Sequence, residues 1–129
     1  CDNAETVAAY LKNHPKVSWV RYAGFADSPD YERVQKYCAG RAASILSFGI
    51  EGGREAGARF IDALNLVTRL VNIGDAKSLA CHPATTTHRQ LSPEELEKAG
   101  VSEDLVRLSV GIEHIDDIIA DIEQALAAA

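Results

Sequence analysis

A strand and a helix at the end of the sequence have apolar faces that must be buried together. In LVRLSV, residues 105–110, alternate side chains point to opposite faces of a strand. One face is entirely apolar and consists of Val106, Leu108 and Val110. The helix pattern that follows carries one apolar stripe, which consists of Ile115, Ile118, Ile119, Ile122 and Leu126. We therefore expect the helix to cover this strand face, with Arg107 on the opposite face.

The rest of the sequence alternates helix and strand patterns. Helices are expected from Asp2 or Asn3 to about residue 13, and over 28–39, 54–67 and 94–99. Strands are expected over 17–22 and 43–50, with two short apolar pieces around residues 74–75. These patterns predict an α/β (α+β) fold, a small and mostly antiparallel sheet of about four strands with helices on one face.

Local signals indicate several helix ends. Ser92 and Glu95 form a capping-box pattern around a proline at the first helical position, and Asp2 with Glu5 has the same spacing. The acidic residues of the last helix are expected on its solvated face; they are Asp116, Asp117, Asp121 and Glu123.

Charge and length limit the classes of function. The chain has 129 residues, 19 acidic against 13 basic, and a net charge of -6, without a basic run. This balance argues against nucleic acid or an anionic membrane as the partner, and leaves small molecules and proteins. No apolar run approaches the roughly 20 residues of a membrane span, and no secretory leader opens the chain. A cytoplasmic protein of one domain, residues 1–129, is the expectation.

The cysteines and glycines give weaker signals. Three cysteines, at positions 1, 38 and 81, are odd in number, and with the histidines they match no metal-ligand spacing, so no metal is expected. Cys81 and His82 are adjacent and would point to opposite faces, which excludes a nucleophile pair. Gly52 and Gly53 could cradle a phosphate, but a tight strand-to-helix turn explains them equally well.

Arg107 has two interpretations on pattern alone. It could lie on the solvated face of an antiparallel sheet, together with Leu105 and Ser109. Alternatively, its planar guanidinium could hold a carboxylate through two parallel hydrogen bonds, with Ser109 assisting. The spacing does not decide between them.

Residues 71–126 carry motifs of a known family. NIGDAKSL, HPATTTH and RLSVGIEHIDDI closely resemble the C-terminal part of the pyridoxal-phosphate enzymes of cysteine and methionine metabolism. Within that family they are most similar to the O-acetylhomoserine sulfhydrylases, also called O-acetylhomoserine aminocarboxypropyltransferases. The resemblance extends more weakly through LSFGIEGGREAGARFIDAL to the first residue.

The resemblance implies a fold, a reaction and a set of substrate-binding residues. It implies the small C-terminal domain of a fold-type-I enzyme, and the complete enzyme would be a homotetramer of methionine biosynthesis. In the implied reaction, sulfide or methanethiol replaces the acetate of O-acetylhomoserine, which gives homocysteine or methionine. The arginine of the RLSVG motif, here Arg107, would bind the substrate's α-carboxylate. Asn72 falls where relatives with SLGG place a carboxylate-contacting serine, Thr87 matches the threonine of their MTH loop, and Ser78 would support the site.

The chain departs from the family pattern in what it lacks. It contains no segment of the SxTK type with the cofactor-linking lysine, no glycine-bearing phosphate cup and no aspartate for the pyridinium nitrogen. Pyridoxal 5'-phosphate is therefore expected in the full-length enzyme, and neither cofactor retention nor turnover is expected of this chain alone. The absence of methionine and the helix-like opening indicate part of a longer polypeptide, although removal of a leader or of the initiator methionine would also explain them.

The sequence is also compatible with other interpretations. The chain could be the same domain of a cystathionine γ-synthase or γ-lyase, because the residues that select the thiol could lie outside it. It could also be a free-standing module that binds amino acids or carboxylates, or an interaction domain whose sheet face forms an oligomer interface.

Overall fold

The chain folds into one mixed sheet with helices. The computed structural model describes residues 1–88 and 90–129, apart from the side chains of Pro93 and Glu97. The strands are β1 (Val17–Arg21), β2 (Ile45–Ile50), β3 (Thr68–Arg69), β4 (Leu79–Cys81) and β5 (Leu105–Ser109). The helices are α1 (Asp2–Lys12), α2 (Tyr31–Tyr37), α3 (Gly53–Ala63), α4 (Pro93–Lys98) and α5 (Ile115–Ala128), with a 3₁₀ turn at Pro83–Thr85.

Among the described residues, the sheet has five strands in the order β1-β2-β5-β4-β3. The pairs β1–β2, β2–β5 and β4–β5 are antiparallel, and the two-residue strand β3 runs parallel to β4. The predicted fold class, α/β with a mostly antiparallel sheet, is confirmed. The strand count is one above the expected four because the exposed polar pair Thr68–Arg69 adds the short edge strand β3, which the apolar pattern did not indicate.

One face of the sheet forms the main core with α1, α3 and α5. Phe48, Val106 and Leu108 are at most 2% exposed, and Ile122 of α5 is fully buried. Phe48 packs edge-on against Phe60 of α3, with ring centroids 5.6 Å apart. Each such side chain contributes roughly 1.5–3 kcal/mol by leaving water. The predicted burial of the Val106 face is thus confirmed, and it shares one core with the apolar stripe of α5 and with α1 and α3.

The helix caps are partly as predicted. The capping box of α4 forms, because Ser92 N–H donates to Glu95 Oε2 at 2.8 Å and Glu95 N–H donates to Ser92 Oγ at 3.4 Å. The expected side-chain cap of α1 is wrong, since Cys1 occupies the cap position without a side-chain hydrogen bond. Helix α2 begins at Tyr31, not at the predicted serine–proline pair.

Helix α3 ends earlier than its apolar stripe predicts. It stops at Ala63, and the following backbone is held by Asp121 of α5, whose carboxylate accepts the N–H groups of Asn65, Leu66 and Val67, each at 2.9 Å. The expectation that Asp121 lies on a solvated face is wrong, because the side chain is only 6% exposed. Periodicity cannot reveal a carboxylate that binds backbone groups of a distant segment.

The opposite face of the sheet is also largely covered. Leu105 is 8% exposed and Ser109 is 2% exposed, so these two residues do not form the open surface that half-exposed sheets show. Helix α4 lies on this side, where Leu96 lines a cleft together with Trp19 and Leu105. The expectation of helices on one face therefore holds for the long helices and not for α4.

Candidate functional site

Four side chains form a row across the second face of the sheet. Arg21 of β1 is in register with Ser47 of β2, Ser47 with Arg107 of β5, and Arg107 with Cys81 of β4. Directly opposed residues of antiparallel strands have Cα atoms about 4.5–5.5 Å apart. The row therefore places Arg107 at the centre of the sheet, between a hydroxyl and a thiol.

Arg107 is half-buried, and the described residues place few polar partners around its charge. Within the described residues its guanidinium forms no ion pair, and Nη2 donates to the Asn72 backbone oxygen at the long distance of 3.4 Å. Burial raises the pKa of the Cys81 thiol, and the neighbouring Arg107 opposes this effect. A half-buried arginine without a carboxylate partner can accept one from a ligand.

Asn72 belongs to the loop 70–77 that approaches Arg107. The loop is exposed, including the apolar side chains of Leu70 and Ile73. Asn72 Oδ1 accepts the N–H of Ile73 at 2.9 Å, so the side-chain N–H groups are the donors that a ligand could use. The structure thus brings Asn72 and Arg107 together, through the backbone of Asn72.

Ser78 lies at the base of this loop and is 2% exposed. Its hydroxyl donates to Glu113 Oε2 at 2.8 Å and accepts the N–H of Gly111 at 2.9 Å. The hydroxyl is occupied by groups of the protein itself. Ser78 therefore does not offer a donor to a substrate and fits a supporting position.

Thr87 is placed in a separate polar segment. It is exposed, and its Oγ1 lies 2.8 Å from His88 Nδ1. The segment borders a cleft of about 470 Å³ that is lined by Thr86, Thr87, His88, Gln90 and Leu91. Among the described contacts none joins Thr87 to Arg107, so the structure does not bring these two candidates together.

His82 anchors that polar segment, a role that sequence reasoning missed. The side chain is fully buried; Nδ1 lies 2.9 Å from Thr85 Oγ1 and Nε2 lies 2.8 Å from the Glu103 backbone oxygen. Burial lowers the pKa of His82, and the bond to Glu103 partly opposes this. A side chain at Gly57 of α3 would place its Cβ 2.5 Å from His82 Nε2. The histidine next to a proline was the only available signal.

A second cleft, of about 540 Å³, lies on the same sheet face beside Arg21 and Trp19. The indole is fixed by a hydrogen bond of 2.9 Å from Nε1 to Asp104 Oδ2 and lies against Gly49, where a Cβ would come within 2.2 Å of Nε1. The Arg21 guanidinium lies 5.1 Å from the indole centroid. Sequence reasoning missed this cleft because it depends on a glycine that faces a tryptophan across two strands.

The described part of the chain contains neither a metal cluster nor a membrane-crossing helix. Within residues 1–88 and 90–129, no three His, Cys, Asp or Glu side chains are grouped to hold a metal ion. Over the same residues, the helices lack the length and apolarity needed to cross a bilayer.

Comparison with known proteins establishes the family. The sequence pattern of the Cys/Met metabolism PLP-dependent enzymes matches residues 1–127. The chain belongs to this family, as the motifs around Asn72, Thr87 and Arg107 predicted.

Individual relatives agree with this assignment. The chain is 49% identical to O-acetyl-L-homoserine sulfhydrylase 1 of Thermus thermophilus and 49% identical to homocysteine synthase of Schizosaccharomyces pombe, covering 98% of this chain and 30% of each relative. A crystal structure from Campylobacter jejuni, described as an O-acetylhomoserine (thiol)-lyase with N'-pyridoxyl-lysine-5'-monophosphate at its position 205, matches with a TM-score of 0.88. It is 42% identical, and the match covers 98% of this chain and 30% of that one. The chain thus spans about a third of the length of these relatives.

The residues present do not by themselves fit the family's cofactor. Within residues 1–88 and 90–129, the strands contain no lysine, so the Arg107 row offers no amine for an imine bond. Lys12 pairs with Asp27 at 2.9 Å, and Lys16 donates to the Leu126 oxygen at the end of α5 at 2.8 Å.

Proposed function

We propose that this chain is the substrate-carboxylate-binding C-terminal domain of an O-acetylhomoserine sulfhydrylase. The family match over residues 1–127 and the names of the relatives support the enzyme class. The complete enzyme would exchange the acetate of O-acetylhomoserine for sulfide: the carbon–oxygen bond to acetate would break first, and the carbon–sulfur bond would then form at the same γ-carbon. The products would be homocysteine and acetate; methanethiol as the donor would give methionine.

The observation that carries this proposal is the environment of Arg107. Its guanidinium is half-buried on a largely covered sheet face and, in the described part of the chain, pairs with no carboxylate. The planar fork of an arginine suits the two oxygens of an α-carboxylate. In this role Arg107 orients the substrate's α-carbon, and it transfers no proton.

The other proposed residues have different tasks. The side-chain amide of Asn72 would add a hydrogen bond to the same carboxylate, since the Asn72 backbone already contacts Arg107. Thr87 would line the pocket from the polar segment, and Ser78 would hold the base of the Asn72 loop. The Thr87 contribution requires that the rest of the enzyme bring the substrate between the two segments.

The chain alone would lack activity. The cofactor-linking lysine and the phosphate-binding groups would belong to the remainder of the enzyme, and the working form would be a cytoplasmic homotetramer. Light scattering of the complete enzyme would measure its oligomeric state. Measurable conversion of O-acetylhomoserine by the isolated chain would refute the proposal that it is one part of the active enzyme.

The direct test uses the complete enzyme and its Arg107→Ala variant. We expect a cofactor absorbance band in both, homocysteine formation from O-acetylhomoserine and sulfide in the parent, and a loss of kcat/KM in the variant of roughly 2–5 kcal/mol, about 30- to 5,000-fold. Arg21→Ala is the control, because Arg21 lies in the same row without contacting Asn72. If Arg107→Ala is as active as the parent, the carboxylate role is wrong.

A further inference from the structure

Glu113 lies at the junction of the Asn72 loop and the turn between β5 and α5. Its carboxylate accepts two hydrogen bonds from Ser78, one from the backbone N–H at 2.6 Å and one from the hydroxyl at 2.8 Å. Both oxygens of the Glu113 carboxylate therefore bind the same residue, Ser78, which directly follows the loop 70–77. Hydrogen bonds to a charged group of this kind are stronger than those between neutral groups.

Further bonds connect the same two segments. The N–H of Gly111 donates to Ser78 Oγ at 2.9 Å, and the N–H of Ile112 donates to the Ala76 oxygen at 2.9 Å. The approach is so close that a Cβ at Gly111 would come within 2.3 Å of the Ala76 oxygen and 2.4 Å of Glu113 Oε2. From the other side, Asn3 Nδ2 donates to the oxygens of Gly111 and Glu113 at 3.1 and 2.9 Å.

The loop itself has little apolar anchorage. Leu70, Val71 and Ile73 are 49%, 51% and 61% exposed, so burial of side chains does not fix its position. Backbone hydrogen bonds tie both ends of the loop to the sheet: the N–H of Leu70 donates to the Ala80 oxygen of β4 at 3.2 Å, and the other end is held at Ala76 and Ser78. The position of Asn72 relative to Arg107 therefore depends on polar bonds at both ends, and the end at Ser78 is the one that a side chain, Glu113, holds.

From this connection we infer that Glu113 is a positioning residue for the substrate-carboxylate site. Through Ser78 it holds one end of the loop 70–77, beside the bond from the Ile112 N–H to the Ala76 oxygen, so that Asn72 lies beside Arg107. Its carboxylate is occupied by Ser78 and leaves the Arg107 guanidinium to the substrate. This inference rests on the proposed function, because it assigns a task to Glu113 only if Arg107 and Asn72 bind the substrate's carboxylate.

The test is a steady-state comparison of Glu113→Gln in the complete enzyme. The amide keeps the shape of the side chain and loses one of the two acceptor oxygens and the charge. We expect KM for O-acetylhomoserine to rise roughly ten-fold while kcat and KM for sulfide stay within about two-fold. Asp117→Asn, an exposed acid on α5, is the matched control and should leave all three constants unchanged.

A double-mutant cycle separates positioning from general stability. In an Arg107→Lys background, Glu113→Gln should raise KM much less than in the parent, because the geometry that it sets has already been lost. Ser78→Ala, which removes the shared hydroxyl, should reproduce the KM effect if Glu113→Gln is too unstable to purify. Additive effects, or a fall in kcat at unchanged KM together with a lower Tm, would show a merely structural role and overturn the inference.

The outcomes also distinguish this inference from the proposed function. If Arg107→Ala loses substrate binding and Glu113→Gln does not, only the inference about Glu113 fails. If Arg107→Ala binds O-acetylhomoserine as well as the parent does, the proposed function fails and the inference fails with it.

Discussion

Cys81 and Arg107 oppose each other in register across β4 and β5, and the thiol lies beside the guanidinium. Burial raises the pKa of the thiol while the positive charge of Arg107 counteracts that rise. The pKa of the Cys81 thiol is therefore a chemical probe of the candidate carboxylate site, because it depends on the position of the Arg107 guanidinium.

Removing Arg107 should make the Cys81 thiol harder to ionise. In a background of Cys1→Ser and Cys38→Ser, which removes the two exposed thiols, Arg107→Ala should move the midpoint of the pH-dependent alkylation rate to higher pH. The midpoint is the informative quantity, because the smaller side chain also changes access to the thiol. Arg21→Ala is the control. An unchanged midpoint in Arg107→Ala would show that the two groups do not interact electrostatically.

Acid should destabilise the chain through His82. Burial lowers the pKa of His82, so the folded state favours the neutral ring. The folded state therefore has its full stability above the ordinary histidine pKa of about 6.5, and it loses stability as the pH falls below that value, because the unfolded chain then binds the proton more readily. The free energy of unfolding should then fall by up to roughly 1.4 kcal/mol per pH unit for this one proton. Urea unfolding between pH 7.5 and 5 would measure it.

The control for this prediction is His14, whose pKa is also lowered, by burial and by Lys16. His14→Gln should keep the His82 part of the slope, whereas His82→Gln should flatten it even though the variant is less stable at neutral pH. Equal slopes in the parent and His82→Gln would contradict the assignment.

Gly57 should be required because of His82. Alanine is the better helix former by about 1 kcal/mol, but its Cβ would meet the buried imidazole at 2.5 Å, and overpacking of this kind costs roughly 1–3 kcal/mol. The ring cannot retreat easily, since both nitrogens have partners. We therefore expect Gly57→Ala to lower the free energy of unfolding.

The double variant identifies the cause. In a His82→Ala background the obstacle is absent, so Gly57→Ala should become neutral or stabilising. Chemical denaturation of the four proteins of this cycle measures the coupling. A cost of Gly57→Ala that is the same in both backgrounds would place the clash elsewhere.

The sequence predicted those parts of the fold that depend on neighbouring residues. The apolar faces of β5 and α5, the strands β1 and β2 and the capping box of Ser92 follow from periodicity and from local hydrogen bonding, and the structure confirms them. The Arg107 position on the second face also followed from strand alternation.

Contacts between segments that are distant in sequence could not be predicted from the periodicity of apolar residues or from local motifs. The early end of α3, the tie between Ser78 and Glu113 and the buried His82 each depend on a partner more than 20 residues away or on space left by a glycine. The proposed roles of Asn72 and Thr87 came from family motifs, and of these two the structure places Asn72 beside Arg107.

Asp121 should be the acid on α5 whose loss costs most. It is 6% exposed and accepts three backbone N–H groups after α3, so Asp121→Asn leaves at least one of these donors poorly paired and should lower the free energy of unfolding by roughly 2–3 kcal/mol. Asp117→Asn, exposed on the same helix, should cost less than about 1 kcal/mol. Urea denaturation compares them, and similar costs would refute the assignment.

The sharpest test of Arg107 varies the substrate and the enzyme together. If the guanidinium binds the α-carboxylate, replacing that carboxylate by a neutral amide should reduce kcat/KM of the complete parent enzyme by about as much as Arg107→Ala does, roughly 2–5 kcal/mol. With the amide substrate, Arg107→Ala should lose little more, because the partner is already gone. Arg107→Lys should lie between the two with the natural substrate, since an ammonium keeps the charge but lacks the planar fork. Additive losses, with the variant as impaired on the amide as on the acid, would mean that Arg107 acts on some other part of the enzyme.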